Sequence, residues 1–229
     1  MFTRGNNRRR LFSYPRERRA FLRLLARHLH ARRCTLHAIC LMNNHVHLMV
    51  TPPTVDALSR FMKDVLQRYG QIRNGKRAAS GKLFEERFKS KPIVDPRQLA
   101  FAQMYIEANP NRAGLVGDVG QYPWSSYAIH AGAAADAKIP ADLIVPSDWY
   151  CSLGPTPEVR QQRYRELFAD YLARHDPTSD DSPIARAERA AMAPYTRRLR
   201  RPDGSSAAEP RASFVVSGEK MSDDEGIEG

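Results

Sequence analysis

The 229-residue chain has no apolar run approaching the roughly 20 residues that a membrane-spanning helix needs. Its opening, Met1-Phe2-Thr3-Arg4-Gly5, lacks the apolar stretch and small-residue cleavage site of a secretory leader. Both absences point to the cytoplasm. Cysteine is scarce as well. Cys34, Cys40 and Cys151 form no CxxC pair and leave an odd thiol under any pairing. That argues against a disulfide framework and a Cys/His zinc site, and leaves reduced, partly buried thiols as the expectation. Internal repeats are also lacking.

Acid is nearly missing where base is concentrated. Residues 1–33 hold eleven arginines against the single acid Glu17, within a chain whose net charge is +11. The last twelve residues reverse this, with Glu219, Asp223, Asp224, Glu225 and Glu228 against Lys220. An arginine block of this density has the electrostatics of a phosphate-binding surface, which favours nucleic acid as partner over a merely solvated helix face.

Apolar periodicity predicts the elements. Phe21, Leu24, Leu25, His28 and Leu29 share one face of a helix over 14–31, with Pro15 in its first turn. Thr35–Leu41 and His45–Thr51 read as a hairpin around Met42-Asn43-Asn44, closed by Pro52-Pro53. A second helix runs from Val55 to about Arg73 on Leu58, Phe61, Met62, Val65, Leu66 and Tyr69. Strand-like stretches follow within 82–94. A third helix starts at Asp95-Pro96, runs to Ala108 and is closed by Asn109-Pro110. Glu158–Arg174 suits another amphipathic helix. From about 176 the chain is rich in Pro, Ser, Asp, Arg and Ala, and reads as disordered apart from a short helix at Ala185–Met192.

The chemistry is expected at His45-Val46-His47. Side chains alternate along a strand, so both imidazoles project from one face and can share a metal ion, whereas Val46, Leu48 and Val50 occupy the other. An HxH triplet alone is more often structural. Tyr69 alone is more often core, since it lies on the apolar stripe. Together they suggest a metal-polarised phosphate attacked by a phenolic oxygen, with Tyr69 the expected nucleophile.

Several ordered segments resemble the IS200-like family of tyrosine (HUH) transposases, in particular its REP-associated branch. They are Arg4-Gly5-Asn6-Asn7-Arg8, Leu36-His37-Ala38, Met42 to Leu48, Gly81 to Ser90, Tyr105 to Val116 and Tyr122 to Tyr127. The resemblance spans about residues 1–175. It implies an α+β, ferredoxin-like core: a central antiparallel sheet with helices mainly on one face. It further implies Mg²⁺ or Mn²⁺ on His45 and His47, and Tyr69 as nucleophile. Asn74 would assist at the metal, although five residues on it lies off the helical face of Tyr69. The implied activity is cleavage and rejoining of single-stranded or hairpin DNA, such as REP-like palindromes, by a monomer or homodimer. The rival reading is a relic that binds DNA without cutting it.

Arg4, Arg8, Arg9, Arg10, Arg87 and Arg112 are the expected nucleic-acid contacts, the Arg8–Arg10 run acting on the backbone rather than on sequence. Arg87 could equally pair with Glu85 or Glu107. Trp124 reads as a core anchor. The expected organisation is a transposase domain over 1–130, a helical extension over 131–175 and a disordered tail over 176–229. Two departures from the family stand out. Asn43 replaces a usual proline, which should loosen the turn. The family's first strand normally precedes the Arg-Gly-Asn-Asn-Arg segment, where only Met1-Phe2-Thr3 stand, so a central strand is expected to be shortened or missing.

Overall fold

A computed structural model describes residues 2–6, 10–76, 81–84, 88–93, 96–133 and 137–175. The hairpin forms as its alternation requires: β2 (Thr35–Leu41) and β3 (His45–Thr51) pair antiparallel, with Cys40 opposite His47 and Leu41 opposite Val46. On the other edge of β3 lies a three-residue strand, β1 (Phe2–Arg4), which sets Arg4 opposite His45 and Phe2 opposite His47. The sheet order is therefore β1-β3-β2. The first strand is thus shortened, as expected, but not missing: among the described residues it is a three-residue edge strand and the histidine strand is central.

The turn between β2 and β3 is not loosened by asparagine at position 43. Leu11 and Phe12 donate their backbone N–H groups to the Asn43 carbonyl at 2.8 and 2.9 Å. The Asn43 side chain accepts from Arg18 Nη2, a bond that proline could not make. Gly5 N–H holds the neighbouring Asn44 carbonyl at 2.9 Å.

Helix α1 (Pro15–Arg32) starts at a proline whose missing N–H costs nothing in the first turn. Glu17 reaches back to accept from the N–H groups of Ser13 and Tyr14, satisfying donors the helix leaves open. Phe21, Leu22, Leu25 and Leu29 form its buried face. Helix α2 (Val55–Lys76) packs against it through Phe61, Met62, Val65 and Tyr69. The pair is tied near the C-terminal end of α1 by Arg32, whose Nη2 lies 2.7 Å from Asp64 Oδ2.

The first five residues of β3 are all buried, so both sheet faces are covered. The α1–α2 layer takes the face of Val46 and Leu48. Helix α3 (Pro96–Arg112), which packs on β2 and β3, takes the face of His45 and His47. The antiparallel sheet with helices packed on it is the α+β core expected from the sequence, and α3 covers its histidine face. Helix α3 also passes the expected stop. Pro110 lies inside it, forfeiting one ladder bond, and the turn closes only at Gly114, whose φ of +64° suits a residue without Cβ.

The outer edge of β2 is covered by residues 124–126. Leu41 N–H donates to Trp124 O and Ser126 N–H to Ile39 O, each at 2.9 Å. Pairing of this kind removes an open ladder edge. Trp124 is buried, as its reading as a core anchor requires. Short helices α4 (Tyr127–His130) and α5 (Asp148–Ser152) lead to α6 (Pro157–Arg174), one residue from its expected start. Tyr150, Tyr164, Phe168 and Tyr171 form a second apolar cluster with Ala108 of α3. The 131–175 extension is therefore packed on the helix that covers the histidines.

Other expectations fare as follows. In 82–94 the described residues show an isolated bridge, Gly5 to Phe84, instead of a strand. Cys34 and Cys40 are buried free thiols and Cys151 is an exposed one. Among the described residues no helix is long and apolar enough to cross a membrane. The Asp95 cap, the tail over 176–229 and its short helix lie outside the described residues.

Candidate active site

Strand alternation brings His45 and His47 together. Their ring centroids are 4.8 Å apart, nearly perpendicular, and the side chains are 1% and 5% exposed. His45 Nδ1 lies 2.8 Å from Asn44 Oδ1. With Nδ1–H as the donor in that bond, the lone pair of the neutral ring belongs to Nε2, the usual way a neighbouring acceptor orients a metal-binding histidine. Burial, reinforced by His45, holds the His47 pKa well below the ordinary imidazole value, so His47 is neutral at pH 7. Neutral imidazole is the form that ligates.

The phenol that reaches this pair belongs to Tyr105, not Tyr69. Tyr105, on α3, sets its ring edge-on to His47 at 5.9 Å between centroids. It is partly exposed. Asn109, one turn on, is buried and hydrogen-bonds His47. Its Nδ2 also donates to the Tyr105 carbonyl at 2.8 Å. Arg112, one turn further, lies over the Tyr105 ring at 5.5 Å and donates to His175 O at 3.2 Å. Residues 105, 109 and 112 follow the i, i+4, i+7 spacing of one helix face. A helix ending at Ala108 hides that row, because it places Asn109 in a cap.

Tyr69 has a different setting. It is 1% exposed, and its hydroxyl donates to Leu11 O at 2.9 Å. Phe12, Phe21 and Phe84 surround its ring. Burial, then Glu17, push its pKa far above the ordinary tyrosine value. Arg73 joins it on the same carbonyl at 3.1 Å and reaches Arg10 O at 2.9 Å. Tyr69 and Arg73 together pin the N-terminal segment to α2. Asn74 is likewise engaged elsewhere, donating to Gly81 O at 2.8 Å.

Of the expected nucleic-acid contacts, Arg112 stands beside Tyr105, Arg4 pairs its backbone with His45, and Arg10 is half-buried. Arg8, Arg9 and Arg87 lie outside the described residues. Within the arginine block of residues 1–33, Arg16, Arg19, Arg23 and Arg27 are all exposed on α1 at helical spacing.

The donor set suits a hard or borderline divalent cation. Among the described residues no cluster of three or more His, Cys, Asp or Glu could hold a metal. Two imidazoles with an asparagine side chain at His47 are nitrogen and oxygen donors of the kind that suits Mn²⁺, or Mg²⁺ with water and phosphate oxygens added.

No curated protein matches the chain. Among solved structures it is similar to a REP-associated tyrosine transposase bound to a REP hairpin, at 18% identity and a TM-score of 0.49. That alignment covers 61% of this chain and 85% of the other. Residues 1–109 match the family model described as "Transposase IS200 like", a span that includes β1, both histidines, Tyr105 and Asn109. This segment, which holds both histidines, Tyr105 and Asn109, is the part of the chain that is similar to the IS200-like transposase family.

Proposed function

We propose that the protein cleaves and rejoins single-stranded DNA next to hairpins such as REP-like palindromes, with Tyr105 as the nucleophile. The placement of Tyr105 against His47 is the observation that carries this reading. The Tyr105 oxygen attacks the scissile phosphorus, the bond from phosphorus to the 3′ oxygen breaks, and the phenolic proton is lost to solvent. The departing 3′ oxygen takes up a proton from solvent, so the products are a 5′-phosphotyrosine and a free 3′-OH, and the reverse attack rejoins the strand. His45, His47 and Asn109 would hold a divalent cation, Mg²⁺ or Mn²⁺, which when bound supplies Lewis-acid polarisation of the phosphate. Arg112 is placed to meet substrate phosphate beside the phenol, and the exposed arginines of α1 supply salt-sensitive backbone affinity.

The test uses a hairpin oligonucleotide with a single-stranded flank and Mn²⁺. Wild type and Tyr69→Phe should each form a covalent DNA adduct, and Tyr105→Phe should form none. An adduct retained in Tyr105→Phe and lost in Tyr69→Phe would return the role to Tyr69. No wild-type adduct, with DNA binding retained, would leave a DNA-binding protein that does not cut.

A further inference from the structure

Helix α3 has a second polar face. Tyr105 and Asn109 point to the sheet, whereas Glu107, about 200° around the helix from Tyr105, points to the extension. Glu107 is fully buried in the midst of hydrogen-bond donors. Its Oε1 accepts from Ser126 Oγ at 2.5 Å and lies 2.7 Å from His130 Nδ1, and its Oε2 accepts from Tyr164 Oη at 2.5 Å. Three elements thus converge on one carboxylate: the segment that edges β2, helix α4 and helix α6.

One branch leads back to the histidines. Ser126 Oγ also accepts from Ile39 N–H at 3.0 Å. Ile39 precedes Cys40, the residue opposite His47 in the sheet. Hydrogen bonds therefore run from Ile39, opposite Leu48 and next to the residue facing His47, through Ser126 to Glu107, and two residues of helix lead back from there to Tyr105. Catalytic geometry tolerates little error, since a misplacement of 1 Å can cost on the order of 100-fold in rate. A buried carboxylate bonded on both oxygens restricts the helix in just the directions that matter.

We infer that Glu107 is a positioning residue: with Ser126, His130 and Tyr164 it fixes α3 so that Tyr105 stands at His47, which makes the C-terminal extension part of the cleaving machinery. This inference rests on the reading of Tyr105 as nucleophile. It gives the extension a task that packing alone does not assign.

The experiment compares wild type, Glu107→Gln, Tyr164→Phe and the double variant, using full-length protein, the hairpin oligonucleotide and Mn²⁺. Single-turnover adduct formation gives a rate constant and an amplitude, and fluorescence anisotropy gives the oligonucleotide Kd. Glu107→Gln should lower the rate constant roughly 10- to 100-fold, with Kd unchanged within about twofold. Tyr164→Phe should lower it less. The double variant should recover part of the loss, because the new amide NH₂ no longer faces a phenolic donor. A merely structural role predicts a lower Tm and smaller amplitude with an unchanged rate constant in the folded fraction, and that result would overturn the inference. If wild-type protein makes no Tyr105 adduct, the cleavage reading fails separately. The positioning claim is then decided by ¹⁹F NMR of 3-fluorotyrosine placed at 105: a resonance moved or broadened in Glu107→Gln supports it, and an unmoved one refutes it.

Discussion

Two tyrosines on two helices show how differently one side chain can be housed: one phenol is enclosed in the core, the other stands partly exposed beside a histidine pair. Tyr69 is enclosed by three phenylalanine rings, spends its hydroxyl on a backbone carbonyl, and is held protonated by burial. Tyr105 is partly exposed, abuts an imidazole that is held neutral, and has a cation over its ring. Both lie on amphipathic helices that follow the hairpin. What distinguishes them is which face of β3 their helix covers, and the central position of that strand makes the two faces equally available.

The comparison breaks most sharply at the nucleophile. Tyr105→Phe should abolish the covalent adduct outright in denaturing gels, whereas Tyr69→Phe should retain it. Next in size, His47→Ala and Asn109→Ala should each remove Mn²⁺-stimulated cleavage and weaken Mn²⁺ binding measured by calorimetry. Hairpin affinity should persist in both, and its equal loss would mean that the histidine face is structural. On the other side of the sheet the effects are on stability. Arg73 lies 3.2 Å from Glu17, and both are nearly buried, so Arg73→Ala leaves that carboxylate its two backbone donors but no cation and should cost about 1.5–3 kcal/mol in denaturant unfolding. Tyr69→Phe leaves Leu11 O its bond from Arg73 and should cost only about 0.5–1.5 kcal/mol. The smallest effect is expected on the outer surface of α1. Arg19→Ala with Arg23→Ala should lower the slope of log affinity against log salt by roughly 1–2, without changing cleavage at saturating DNA.

Local periodicity made much of the fold readable. The hairpin limits, α1, α2 and α6 follow from apolar spacing within single segments, and the histidine pair follows from strand alternation. Tyr69 was expected to be the nucleophile, yet its place on the apolar stripe was the signal for the buried setting it has. The likely-looking stop at Asn109-Pro110 was what hid the site. Proline usually ends a helix, but here it sits in the last turn, where one lost bond is tolerated, and the helix runs on to Arg112 before Gly114 turns the chain. The spacing Tyr105, Asn109, Arg112 was the available signal, and it has meaning only if the helix continues. Nothing local marks Glu107, whose partners at 126, 130 and 164 meet it only after the chain has folded back.

The edge cover of β2 has a consequence for synthesis on the ribosome. Ile39 finds its partner at Ser126, 87 residues later. At about 5–20 residues per second, that interval is roughly 4–17 s. Throughout it the nascent hairpin offers a bare outer edge to any neighbouring strand. A slowed ribosome between these positions would lengthen that exposure, so the yield of native protein should depend on codon speed across this stretch as well as on the amino acids it encodes.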